Sequence, residues 1–257
     1  MDKISAAADM IAQSKKIVIF TGAGISTESG IPDFRSPGGI WDRFDANAFT
    51  YPKFISSQAN REMYWDFSKT IWPAIAQAEP NAGHYAVVEL HRMGKLDCVI
   101  TQNIDFLHQK SGVPEDKVIE LHGTLKGVTC LECDRKYPRE QIQKRLIGSA
   151  EKVPKCDSCG GILKPTTVMF GQPMPEWETN EAETRSARCD LFLVAGSSLV
   201  IYPAAQMPVV AKHGGAKLII INLTPTPHDH YADVVINEKI GPVLSEIVKQ
   251  ARAKLKN

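Results

Sequence analysis

Five short runs of the chain, residues 16–20, 97–101, 191–195, 217–221 and 234–236, are near-continuous Val, Ile and Leu segments. They lack the in-out alternation of a half-exposed strand, so each predicts a strand buried on both faces, as in a parallel sheet covered by helices. Between and after them, residues 81–93, 178–188, 203–213 and 242–255 have helical composition and length, and an amphipathic stretch precedes the first run. Asn81 and Ser5 stand near expected helix starts. Strands alternating with helices predict an α/β fold, a doubly wound parallel sheet of Rossmann-like type.

Two segments break this rhythm. Residues 36–75 are rich in aromatics (Trp41, Phe44, Phe49, Tyr51, Phe54, Tyr64, Trp65, Phe67, Trp72) without a clear strand, and residues 126–164 hold two cysteine pairs. Both read as insertions, giving a dinucleotide-binding domain of 1–35, 76–125 and 165–257. The smaller inserted lobe, 36–75 and 126–164, would then combine a helical module with a zinc ribbon.

Composition narrows the function. The 257 residues are 43% hydrophobic, enough for a large core, and 30 Lys and Arg nearly balance 29 Asp and Glu. That balance gives no field to hold nucleic acid or an anionic membrane directly. No secretory signal and no long apolar run is present, which points to a cytoplasmic protein. Four of the six cysteines form Cys130-x-x-Cys133 and Cys156-x-x-Cys159, 22 residues apart, while Cys98 and Cys189 stand alone in apolar surroundings. Two such pairs can close a tetrahedral thiolate shell around one structural Zn²⁺; two disulfides or free thiols are the alternatives. Residues 134–140 between the pairs carry mixed charge and make no basic face.

Gly22-Ala23-Gly24 follows the first strand, where a doubly wound sheet brings phosphates to backbone N–H groups. A tight strand-to-helix turn is the alternative. The third glycine of a dehydrogenase fingerprint would fall at Thr27, which argues against hydride transfer. Gln102, Asn103 and Asp105 follow the second strand, either as ligand contacts or as caps. His122, after a short apolar run, is either a structural histidine or a base with a pKa suited to neutral pH. His228-Asp229-His230, in a Thr- and Pro-rich loop, reads as solvated surface.

The stretch Gly22-Ala23-Gly24-Ile25-Ser26-Thr27-Glu28-Ser29-Gly30-Ile31-Pro32-Asp33-Phe34-Arg35 resembles the signature of the sirtuins, the NAD-dependent protein deacylases. The resemblance continues through Thr101-Gln102-Asn103-Ile104-Asp105, Leu121-His122-Gly123, the four cysteines, Val168-Met169-Phe170-Gly171, Gly196-Ser197-Ser198-Leu199 and Ile221-Asn222. It implies that the acetyl oxygen of acetyl-lysine displaces nicotinamide from NAD, and that His122 then activates a ribose hydroxyl. Lysine and O-acetyl-ADP-ribose result.

By the same resemblance Asp105 binds the nicotinamide carboxamide, Asn103 orients the ribose and a water, and Gln102 contacts ribose hydroxyls. Phe34, beside Arg35, shields the anomeric carbon. Gly196, Ser197 and Ser198 meet phosphate, Asn222 the adenosine ribose, and Gly22, Ala23, Gly24, Ser26, Ile104 and Ile240 complete the NAD contacts. The acetylated peptide adds as a strand between Phe170-Gly171 and residues 199–201, with Val168, Phe170 and Val200 walling the lysine tunnel. Gln172 stands where the family commonly has Glu. A zinc-ribbon scaffold without activity, or an ADP-ribosyltransferase, remains the alternative.

Overall fold

The computed structural model describes residues 2–33, 37–42, 45–149 and 151–255. Its strands are β1 (Ile17–Thr21), β2 (Leu96–Thr101), β3 (Val118–Glu120), β4 (Gly123–Cys130), β5 (Lys136–Pro138), β6 (Leu163–Thr167), β7 (Leu191–Ala195), β8 (Lys217–Ile221) and β9 (Val234–Ile236). The α-helices are α1 (Lys3–Gln13), α2 (Tyr51–Ser56), α3 (Gln58–Gln77), α4 (Ala82–Arg92), α5 (Leu107–Ser111), α6 (Arg139–Gly148), α7 (Glu176–Arg188), α8 (Met207–His213) and α9 (Ile240–Lys254). No helix among the described residues is long and apolar enough to cross a membrane.

Six strands form one parallel sheet in the order β3-β2-β1-β7-β8-β9. The order runs outward in opposite directions from β1 and β7, which places the topological switch point of a doubly wound sheet between them. Alternate residues of β1 feed two cores. Ile17 and Ile19 pack with apolar residues of α1, α4 and α9, whereas Val18 and Phe20 pack with those of α7 and α8.

Register fixes the working edge. Thr21 pairs with both Thr101 and Ala195, Thr101 with Glu120, and Ala195 with Ile221. The strands therefore end level, and Leu121, Gln102, Gly22, Gly196 and Asn222 stand in one row just past them. Each still donates its backbone N–H to the next strand: Leu121 to Thr101 O (2.9 Å), Gln102 to Thr21 O (3.0 Å), Gly22 to Ala195 O (3.3 Å), Gly196 to Ile221 O (2.9 Å) and Asn222 to Ile236 O (3.1 Å).

A second sheet, antiparallel in the order β5-β4-β6, spans Gly123 to Thr167. Its apolar face joins Phe49, Phe54, Tyr64, Trp65, Ile142 and Leu146 in a separate core. Asn81 caps α4 as expected, in a capping box with His84. Ser5 lies in the first turn of α1, whose N-cap is Asp2, accepting from Ile4 N. The helix expected from 203 begins as a 3-10 turn, Ala204–Gln206, because Pro208 suits only the first turn of the α8 that follows.

Candidate active site

The glycine loop exists because two backbones meet there. A Cβ on Gly24 would lie 2.8 Å from Gly196 Cα, and one on Gly22 2.8 Å from Gly196 O. Gly196 itself has φ +71°, and a Cβ there would come within 2.3 Å of Ile25 N. Only glycine fits at these contacts. The chain then turns through the 3-10 helix Ala23–Ser29, which carries Ser26 inward to 1% exposure.

Next to this loop, the segment after β2 folds back beneath it. Asn103 Nδ2 donates to Gly22 O (3.0 Å) and to Ser26 Oγ (3.2 Å), and Ser26 Oγ donates to Asp105 Oδ2 (2.7 Å). Asp105 Oδ1 accepts from Leu107 N at 3.1 Å, so this aspartate does act as a local cap as well as facing the loop. Burial raises the Asp105 pKa, against the opposing pull of the Ser26 and Leu107 hydrogen bonds. Gln102 Nε2 donates to Ser197 Oγ at 2.8 Å, tying the β2 loop to the β7 loop across the switch point.

His122 reaches the same edge from β3. Its Nδ1 lies 3.0 Å from the carbonyl oxygen of Gln102. A carbonyl only accepts, so Nδ1 carries the proton and Nε2 keeps a free lone pair, the tautomer a general base requires. Burial lowers the His122 pKa, and the bond to Gln102 partly offsets that. The His122 carbonyl accepts from Val168 N at 2.8 Å, which links the base to the expected tunnel wall. Phe170 and Val200 are both 45% exposed. Phe170 also forms an isolated parallel bridge with Thr50, its carbonyl accepting from Tyr51 N at 2.8 Å.

The remaining expected residues divide. Ser197 is buried and caps its own turn through Leu199 N; Ser198 is half-buried beside it. Asn222 Nδ2 donates to Thr224 O at 2.7 Å, so its amide nitrogen is used in the turn. Ile240 is 4% exposed within the main core, leaving chiefly its backbone to face a ligand. Ile104 packs beside Trp72 and Leu125. Phe34 and Arg35 lie outside the described residues.

The metal-type cysteines converge. The sulfurs of Cys130, Cys133, Cys156 and Cys159 all lie within 4.8 Å of one another, with Cys130–Cys159 at 3.5 Å and Cys133–Cys156 at 3.6 Å. A tetrahedron with Zn–S near 2.3 Å has edges of about 3.8 Å, whereas a disulfide needs about 2.05 Å. Each pair sits on a tight turn closed by a left-handed residue, Asp134 (φ +56°) and Gly160 (φ +76°). The donor set fits Zn²⁺, and four thiolates leave no position for substrate.

Several contacts escaped sequence reading. Arg139, within the mixed-charge run, is fully buried between Trp65 and Trp72 and donates to Ser68 O and Oγ. Lys164 is buried and, among the described residues, donates only to carbonyls, Pro165 O and Thr167 O. His228 is 7% exposed, not solvated, because Asp229 folds the loop onto Thr226. Isolated charges on short motifs gave no signal of burial.

A glycine-lined switch point with buried Asn and Asp and a half-buried His at the strand ends defines a dinucleotide-binding enzyme fold carrying a separate thiolate metal centre. The Sir2 family profile matches residues 22–203, and the chain belongs to that family. An NAD-dependent protein deacetylase of Thermodesulfovibrio yellowstonii is 45% identical over 96% of this chain and 94% of its own. A Sir2 structure holding a deacetylated p53 peptide and 3'-O-acetyl ADP-ribose superposes with a TM-score of 0.88 at 39% identity, covering 98% of both chains. A Sir2 enzyme bound to a propionylated peptide gives a TM-score of 0.88 at 37% identity, covering 99% of this chain and all of that one (100%).

Proposed function

We propose that this protein is an NAD-dependent protein lysine deacetylase, converting acetyl-lysine and NAD to lysine, nicotinamide and O-acetyl-ADP-ribose. The observation that carries the reading is His122, held by the Gln102 carbonyl with Nε2 unprotonated, at the edge that also holds Ser26, Asn103 and Asp105. Relatives of 42–47% identity are named NAD-dependent protein deacetylases or deacylases, which supports it.

The residues present fit NAD. Gly22, Gly24 and Gly196 let the two loops at the switch point pack backbone against backbone, and Asp105 is a buried carboxyl without a cationic partner among the described residues, suited to a carboxamide N–H₂. When bound, NAD supplies a ribose whose bond to nicotinamide breaks as the acetyl oxygen takes its place. Gly22, Ala23, Gly24, Ser197 and Ser198 would hold the phosphates, Gln102 and Asn103 the nicotinamide ribose, and Asn222 and Ile240 the adenosine end. His122 would take the proton from a ribose hydroxyl at Nε2.

Peptide would enter as a strand between Phe170-Gly171 and Val200, whose exposed side chains leave both edges accessible. The zinc centre would stabilise the small lobe, which we take as 36–75 and 126–164. A reduced thiolate cluster suits the cytoplasm, where we place the protein. Mass spectrometry of a reaction of acetyl-peptide with NAD tests the reading: O-acetyl-ADP-ribose is expected. ADP-ribosylated protein with retained acetyl groups would establish the transferase instead.

A further inference from the structure

Beneath the active edge lie two histidines that the chemistry above does not use. His84, on α4, is fully buried and His108, on α5, is 2% exposed; their ring centroids are 5.0 Å apart. His108 Nε2 lies 3.0 Å from Thr21 Oγ1, and that hydroxyl donates to Thr101 Oγ1 at 2.8 Å. A hydroxyl has one proton, so Thr21 must accept from His108, which puts the His108 proton on Nε2 and leaves Nδ1 a bare acceptor. His84 Nδ1 accepts from Asn81 N at 3.3 Å, so the His84 proton is on Nε2. The other two ring atoms, a donor at His84 Nε2 and an acceptor at His108 Nδ1, are buried with no hydrogen-bond partner among the described residues.

The far end of this series reaches the catalytic loop. Thr101 Oγ1 accepts from Asn103 N at 3.0 Å, and Asn103 in turn holds Gly22 O and Ser26 Oγ. We propose that His108 is a positioning residue for Asn103, the middle of a one-directional hydrogen-bond chain running His84 to His108 to Thr21 to Thr101. His84 Nε2 and His108 Nδ1 are not hydrogen-bonded to each other, and a single water between them would satisfy both, needing only those two polar partners. Both rings remain neutral, as burial demands of imidazoles without a carboxylate, and a fixed tautomer is what gives the chain its direction. The backbone of His108 is itself pinned, its carbonyl accepting from Val113 N and Ser111 Oγ, so the ring has little freedom to release Thr21.

The role in turnover rests on the deacetylase reading, but the tautomers do not, and the test separates them. Nitrogen NMR of isotope-labelled histidine in the intact protein should find His84 and His108 neutral at pH 7, both protonated on Nε2, with the His84 N–H slow to exchange. A proton on His108 Nδ1 overturns the proposal. An amide nitrogen in Gln reaches the position of imidazole Nε2, whereas Asn stops near Nδ1. H108N should therefore lose about tenfold or more in kcat with peptide KM little changed, and H108Q should recover most of it at a similar Tm. Equal kcat in the two variants, with NMR tautomers as expected, would leave the histidines as packing alone and sink the positioning role. Absence of deacetylation in the wild type would instead overturn the functional reading and leave the tautomer result standing.

Discussion

Ser26 donates to Asp105 at 2.7 Å while both side chains are at least 95% shielded from solvent. The hydroxyl supports the ionised carboxylate, and burial opposes it. Asp105→Asn removes an acceptor that a carboxamide N–H₂ would use. Nicotinamide inhibition and kcat/KM for NAD should both weaken, by about tenfold or more, since a hydrogen bond to a charged group contributes about 1.5–3 kcal/mol. Inhibition curves that superimpose on those of the wild type would place nicotinamide elsewhere.

His122 sets the acid limb of the pH profile. Its pKa is lowered by burial, so the neutral base persists below the ordinary histidine value of 6.5. Activity should be flat at neutral pH and fall only as pH drops beneath that value. His122→Ala should remove nearly all turnover while NAD still binds, because the base acts after the dinucleotide is seated. An acid limb centred above 6.5, or substantial turnover in the variant, contradicts the assignment.

His84 makes a separate contribution to stability. Burial lowers its pKa from 6.5 to about 4, so the unfolded chain binds a proton that the folded one refuses. Stability is complete above the unfolded value and is lost as pH falls from about 6.5 towards about 4, by about 3 kcal/mol in all. Denaturant titrations across that range should show the decline, and His84→Gln should make it shallower, leaving the part that the buried His108 contributes with the same sign. A slope unchanged by the substitution would assign the loss to other groups.

The metal centre should matter to folding without touching chemistry. A structural thiolate site contributes folding free energy of about 10 kcal/mol or more, so chelation should unfold the core around Trp65, Ile142 and Leu146 and abolish activity. A demonstrably metal-free sample that keeps both its melting profile and its rate would remove the metal from the account.

The large sheet was legible because strands buried on both faces, such as 217–221, show as unbroken apolar runs. The small sheet was not. β4 reads Gly-Thr-Leu-Lys-Gly-Val-Thr-Cys and β6 carries Lys164 and Pro165, so neither has a continuous apolar signal. His122, Asn103 and Asp105 could be placed at one edge from strand ends alone. Thr21 and Thr101 could not, since a threonine closing a strand looks the same whether its hydroxyl is spare or, as here, tied to a histidine from another helix.

The five backbone bonds that run one residue past the strand ends carry a thermodynamic consequence. Amides at Gly22, Gln102, Leu121, Gly196 and Asn222 can exchange with solvent only when the sheet itself opens, so this part of the site belongs to the most protected cooperative unit of the protein. Its ordering entropy is spent at folding, before any ligand arrives. A dinucleotide therefore meets a row of strand ends already in place, and none of its binding free energy goes into ordering that row.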